Sequence, residues 1–395
     1  MLHDALELAP QLIAWRRHLH RHPELSGHEE QTANLVAREL RALGLEPRER
    51  IGGAWGLFAD ISIDGCPPAL ALRADMDALP ITEDNDVEYA STKPGVMHAC
   101  GHDAHVAMLL GAAHLLTRSA RRLRQSVRIV FQPHEEKYPG GARTMIEAGA
   151  LAGIRRMFGL HICTDLPFGR LGTRVGPFMA AVNPFRAVIT GKGGHAAAPE
   201  RCVDPIVAAA HAVVALQCVV SRAVAMSEPV VVSVTQIHAG TTDNVLPNSL
   251  HLGGTIRTYD ARIRQQVCQR VRAILSDVSA AHGAAAEVEI EDGYPVLVND
   301  RASVDLALRA ARNVGFSPDD IEVLPVQGGG EDFAYFAQQV PSAFLFLGAS
   351  NDAKQCVYPH HHPRFNVDED ALPRGAALLA QFALEPRDDA VPAAL

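Results

Sequence analysis

The chain has 395 residues, of which 48% are hydrophobic and 21% charged, and its formal net charge is −9 with histidine neutral. That length allows two domains with full cores. The acidic balance argues against the basic face that nucleic acid requires, and more weakly against an anionic membrane surface. Seven cysteines stand singly, without a CxxC pair, so neither a disulfide framework nor a zinc ribbon is expected. The N-terminus MLHDALELAPQLIAW lacks the features of a secretory leader, and the apolar runs are expected to fall short of the roughly 20 residues that span a bilayer. These features together predict a protein of the reducing cytoplasm.

In chain order, residues 4–20 read as an amphipathic helix ended by Pro23. Residues 29–43 read as a second helix, with Ala33, Val36, Leu40 and Leu43 on one face and Gly44 as its cap. Strands are predicted at 56–62 and 69–75, a long helix from Asp103 to Ser119, a strand at 127–133, a helix at 140–149 and a strand at 156–162. The alternation predicts an α/β domain, a central β-sheet flanked by helices. From about 177 to 294 the order becomes strand, helix (203–221), strands, helix (260–281), strand, an α+β pattern for a smaller inserted domain. After Pro295 the first style returns with a helix at 301–314 and strand-like EVLPVQ and PSAFLFLG. The expected division is therefore 1–176 with 295–395 as one domain and 177–294 as the other, with a frayed tail at DDAVPAAL.

Nineteen histidines are unevenly spread, several beside Asp, Glu, Cys or Gly in short loops. RADMDALP places Asp75 and Asp77 at a strand end, where residues of an open α/β sheet face the ligand crevice. The pair reads equally as two solvated turn carboxylates. In HACGHDAH, Cys100 and His102 flank Gly101, and a thiolate with an imidazole suits a borderline divalent cation. A packed cysteine and a helix-capping histidine would give the same string. FQPHEEKYPGG sets Glu135 beside Glu136, so one carboxylate can bind a cation while the other takes a proton from water. Such a pair is also common in surface turns. His161 in GLHICT alone reads as a core histidine, and His360, His361 and His362 form a run before Pro363.

The ordered series LHRHPELSGHEEQT, RADMDALP, MHACGHDAH, FQPHEE, PGGA, GLH, GKGGHAAAP, NVLP, GTIRTYD, GGGEDFAYF and HHPRF resembles the metal-dependent aminoacylase/carboxypeptidase family over about residues 15 to 375. The similarity is to its hippurate hydrolase and indole-3-acetyl-amino acid hydrolase branch. The resemblance implies a catalytic domain with an inserted dimerisation (lid) domain, and two divalent metals, Mn or Zn, with Co or Ni as further options. It implies Cys100, His102, Glu136, His161 and His361 as ligands, Glu135 as general base, and Asp77 as the carboxylate that orients a ligand histidine. Asp75 stands where other branches carry a ligand histidine and is left out of the set. His195 of GKGGHAAAP corresponds to a lid histidine that polarises the scissile carbonyl in the partner subunit, and Asn244 and Arg257 correspond to substrate contacts.

The implied activity is hydrolysis of an N-acyl amino acid, with a homodimer through the lid domain as the implied assembly and a higher oligomer left open. Other C–N hydrolyses on the same scaffold, such as deacetylation, dipeptide cleavage or removal of an aromatic amine, stay open. So does a non-catalytic metal- or peptide-binding role. His134 and Lys137-Tyr138, around the acid pair, depart from the branch's usual wording.

Overall fold

A computed structural model describes residues 1–63 and 65–386; the tail segment 388–395 lies outside them. The chain forms two compact units. One is Met1–Gly176 with Val298–Pro325 and Asp332–Leu395, and the other is Pro177–Leu297 with Val326–Glu331.

The larger unit is α/β. Its strands are β1 (Arg48–Ile51), β2 (Gly56–Ile61), β3 (Leu70–Asp75), β4 (Val127–Gln132), β5 (Arg156–Pro167), β6 (Leu171–Thr173), β7 (Ile321–Val323) and β8 (Ser342–Ser350). They form one sheet in the order β1-β2-β4-β3-β5-β8-β6-β7. The central run β4-β3-β5-β8 is parallel, which brings the carboxyl ends of four strands to one edge. β3 and β4 are buried at every residue, as expected for parallel strands covered on both faces.

Helices His102–Arg118 and Ala371–Leu384 pack on each other and on this sheet, and Ala9–Arg21 packs on both of them. The first expected helix is two: Leu2–Glu7 and Ala9–Arg21 are separated at Leu8, with Pro10 in the first turn of the second. Proline is tolerated there because the first turn's N–H groups have no intrahelical acceptor. Helix Glu30–Ala42 stops where Gly44 takes φ +77°, the left-handed conformation that ends helices. β5 runs five residues beyond its predicted end because β8 continues beside it as far as the Ser350–Pro167 register.

The smaller unit carries a four-stranded antiparallel sheet in the order Val230–His238, Ser249–Thr258, Ala181–Thr190, Ala285–Ile290. Helices Pro205–Arg222 and Ala261–Ala281 pack against it and each other. Asp204 and Asp260 accept hydrogen bonds from the free N–H groups at the two helix starts. Ala208, Ala212, Leu216 and Val219 of the first helix share a buried cluster with Val267, Val271 and Leu275 of the second. Pro205–Arg222 corrects the expectation of uniformly short apolar runs. Its 18 residues have a mean hydropathy of 1.5, long and apolar enough to cross a membrane by length and composition alone. One of its faces is nonetheless built into this unit's core.

Candidate metal centre

The site sits on the carboxyl edge of the parallel strands. β3 delivers Asp75 and, two residues on, Asp77; both are buried, so neither is a solvated turn carboxylate. β4 leads into Glu135 and Glu136, and β5 carries His161. Between β3 and β4 the chain enters helix His102–Arg118 through Gly101, whose φ of +88° turns the backbone between Cys100 and His102. A side chain at Gly101 would bring a Cβ within 2.4 Å of Ile162 Cγ2, so the close approach of this loop to β5 requires glycine.

The helix start is pinned from behind. Asp103 accepts from Arg16 Nε at 2.9 Å and pairs with His20 Nδ1 at 2.8 Å, all three side chains being buried. Those cations hold the Asp103 carboxyl well below its ordinary range, although burial acts the other way. A buried charge is tolerable only when paired and hydrogen-bonded in this manner.

The donor atoms converge. Cys100, His102 and His161 present ligand atoms within 4.8 Å of one another, as do Cys100, Glu136 and His361, and the two groups share the Cys100 sulfur. Cys100 Sγ is 3.5 Å from His161 Nε2, and Glu136 Oε1 is 3.4 Å from His361 Nε2 and 3.8 Å from His102 Nε2. His102 Nε2 and Glu136 Oε1 are buried without a hydrogen-bond partner. Unsatisfied buried polar atoms are costly, and one sulfur, three imidazoles and a carboxylate form a donor set that suits divalent cations of the Zn or Mn type. The residues therefore fit the metal that their pattern implies. Glu135 is buried beside them, its carboxylate grouped with His102 and Glu136 within the same 4.8 Å.

Asp77 braces this cluster. Its Oδ2 accepts from Ser26 Oγ at 2.6 Å and from the Glu136 amide at 2.9 Å, while Oδ1 lies 3.3 Å from His102 Nδ1. Glu29 fixes the other side of the acid loop, accepting from the His134 amide at 2.8 Å and the Gly27 amide at 2.9 Å. His134 itself takes φ +60°, a turn that this bond secures. The three consecutive histidines separate cleanly. His360 Nε2 bonds the Ile162 carbonyl, His362 stacks on Tyr358, and His361 faces Glu136 while its amide bonds the Ala99 carbonyl at 2.7 Å.

Electrostatics follow from burial and from crowded carboxylates. Burial works against charge on His102, yet Asp75, Asp77 and Glu136 raise its pKa to about 10. Burial pushes the Cys100 thiol well up, with Glu136, Glu135 and Asp75 adding to it. Burial also pushes the His161 pKa well down, helped by His105 and His360. A dication would reverse the first two tendencies, since it displaces both protons.

In the smaller unit, His195 lies on Gly194–His195, paired with Val245–Leu246, and the Asn244 carbonyl accepts from the Ala196 amide. His195 is exposed, and its Nδ1 accepts the Ala197 amide at 3.0 Å, which leaves Nε2 to carry the proton. Arg257 is on Ser249–Thr258; its Nε donates to the Gly328 carbonyl and Nη1 to Thr255 and the Ile256 carbonyl.

Several supporting residues carry no expectation from the sequence: Arg73, Ser26, Glu29, His105 and Asp332. Only His105 had a usable signal, since its place three residues after His102 puts both on one helix face. Asp75, outside the expected ligand set, has Oδ2 bound by Arg73 at 2.6 Å and Oδ1 paired with His105 at 2.6 Å.

A carboxyl-edge cluster of Cys, His and Glu donors beside a second glutamate has the donor chemistry that a metal-dependent hydrolase uses. Residues 71–385 match the family described as Peptidase family M20/M25/M40, and the chain belongs to it. It is a metal-dependent amidohydrolase of that family. It is 42% identical over 95% of its length to an N-acetyl-L-cysteine deacetylase of Bacillus subtilis, covering 88% of that protein. It is 38% identical to an IAA-amino acid hydrolase of Arabidopsis thaliana, covering 95% of this chain and 86% of the other. Among solved structures, a Bacillus subtilis protein described as a dinuclear metal binding peptidase from the M20 family aligns with a TM-score of 0.83 and 36% identity. That alignment covers 96% of this chain and 98% of the other.

Proposed function

We propose that the protein hydrolyses N-acyl amino acids to a carboxylic acid and a free amino acid. Two divalent cations, Mn or Zn, would be held by Cys100, His102, Glu136, His161 and His361. Such cations supply Lewis acidity that acidifies water and polarises a carbonyl. Glu135 takes the proton of the attacking water and passes it to the leaving nitrogen, a role suited to a buried carboxylate outside the ligand set. Asp77 keeps His102 oriented. His195 donates from Nε2 to the developing oxyanion, and Asn244 and Arg257 hold the substrate's carboxylate.

The observation that carries the reading is the pair of unsatisfied buried atoms, His102 Nε2 and Glu136 Oε1, facing the Cys100 sulfur beside Glu135. The deacetylase and IAA-amino acid hydrolase relatives support the substrate class. A homodimer through the smaller unit fits its exposed apolar Val207, Val214, Met226, Val231 and Ile237. A second reading, dipeptide cleavage at the same centre, is favoured by the description of the structural relative as a peptidase.

The test is a panel of N-acetyl-, N-benzoyl- and indole-acyl amino acids with dipeptides, assayed for released amine by metal-loaded wild type and Glu135→Gln. N-acyl amino acid turnover by the wild type alone is expected. Dipeptide turnover with none on the acyl compounds would replace the first reading by the second.

A further inference from the structure

We infer that His105, with Asp75 behind it, is a positioning residue that sets the ring orientation and tautomer of His161 through the backbone of Ile162. The inference rests on the proposal that His161 is a metal ligand, and it concerns groups with no role in that proposal.

The hydrogen bonds fix every proton in the chain. The Ile162 amide donates to His105 Nε2 at 2.8 Å. An amide nitrogen can only donate, so Nε2 is the bare nitrogen of that ring and Nδ1 carries the hydrogen. His105 Nδ1 therefore donates to Asp75 Oδ1, 2.6 Å away. Asp75 cannot drift, because its other oxygen accepts from Arg73 Nη1 at 2.6 Å. Arg73 is held in turn by Asp332 Oδ1 at 3.0 Å and Gln132 Oε1 at 2.9 Å, all of these side chains being buried. With both nitrogens engaged, His105 is no free ligand, although it lies within ligand distance of His102.

The carbonyl of the same residue, in the next peptide unit, acts on His161. The Ile162 carbonyl accepts from His161 Nδ1 at 2.7 Å and from His360 Nε2 at 3.0 Å. With Nδ1 as donor, the bare nitrogen of His161 is Nε2, the atom that faces Cys100 Sγ. The His105 and His161 rings also meet edge to face, 4.4 Å between centroids. The place is one where the sheet offers no substitute. β3 pairs with β5 only as far as Arg73–Gly159, so beyond that register His105 supplies the acceptor that a longer β3 would have supplied. A buried amide without an acceptor would favour a shift of the Ile162 backbone. Such a shift would take the Ile162 carbonyl away from His161 Nδ1 and release the tautomer.

Partners of this kind change metal affinity by roughly 10–100-fold when removed. The experiment titrates Co(II) into the metal-free wild type, His105→Leu, His105→Gln and His161→Ala, read by visible absorption. Nitrogen-15 imidazole shifts of the metal-free proteins report the His161 tautomer. In His105→Leu, the equivalent that His161→Ala abolishes should weaken roughly 10–100-fold, and His161 should lose its single Nδ1–H tautomer. The other equivalent should be retained, and His105→Gln, which can still accept from the amide, should recover part of the affinity. Should the leucine variant not fold, the glutamine variant alone decides, by a weakening of that one equivalent. A lowered unfolding midpoint with wild-type Co(II) affinity and tautomer would make His105 merely structural and overturn the inference. Undiminished Co(II) uptake by His161→Ala would instead overturn the ligand assignment beneath it.

Discussion

Gly101→Ala perturbs the site at its tightest point. Gly101 has φ +88° and ψ 15°, and a Cβ there would lie 2.4 Å from Ile162 Cγ2 and 3.5 Å from Phe365 Cζ. The left-handed conformation costs an alanine about 1–2 kcal/mol, and overpacking a filled core adds about 1–3 kcal/mol. The sum is about 2–5 kcal/mol, and Ile162, a buried strand residue, has little room to swing aside. Since Cys100 and His102 flank the glycine, the forced backbone shift should also misplace two donors. Denaturant unfolding of the metal-free protein gives the stability term, and Zn(II) titration gives the affinity. A change under about 0.5 kcal/mol, the size of an ordinary surface substitution, with unaltered Zn(II) binding would refute the reasoning.

Replacing Glu135 by Gln should lower kcat by roughly 10²–10⁴-fold while metal content by mass spectrometry stays at the wild-type level. Burial, with Asp77 nearby, raises Glu29 to about 7 from 4.5. The folded metal-free state therefore binds a proton that the unfolded state has released, and stability falls as pH rises from 4.5 through 7. Glu29→Gln should remove that loss, gaining up to about 3 kcal/mol over wild type at pH 8 and little near pH 4.5, as read by denaturant midpoints. Arg16→Met strands the buried Asp103 carboxylate and should cost about 3–5 kcal/mol. Adding Asp103→Asn should return part of it, which a double-mutant cycle measures.

Much of the scaffold was legible because its strands are largely apolar runs between turns: LFADI, LALRAD and VRIVFQ all lie in the central sheet. Helix Ala371–Leu384 was not foreseen. It is buried on nearly all sides, so its sequence lacks the polar stripe that gives a helix its periodicity. Residue types and motif order in the sequence nominated the donors, and the fold brings Cys100, His102, Glu136, His161 and His361 together. The supporting contacts were beyond reach of spacing. Glu29 lies 105 positions from His134, and Arg73 lies 259 from Asp332. Such partners are set by tertiary packing alone, as is the engagement of both Asp75 oxygens.

Anomalous diffraction from crystals grown with Zn(II) or Mn(II) tests the central claim most directly. The account predicts two peaks, with Cys100, His102, Glu136, His161 and His361 as the protein ligands and Glu135 close by without being needed to hold either ion. Peaks ligated by Asp75 and His105, or a single ion that leaves Cys100 and His361 uncoordinated, would contradict it.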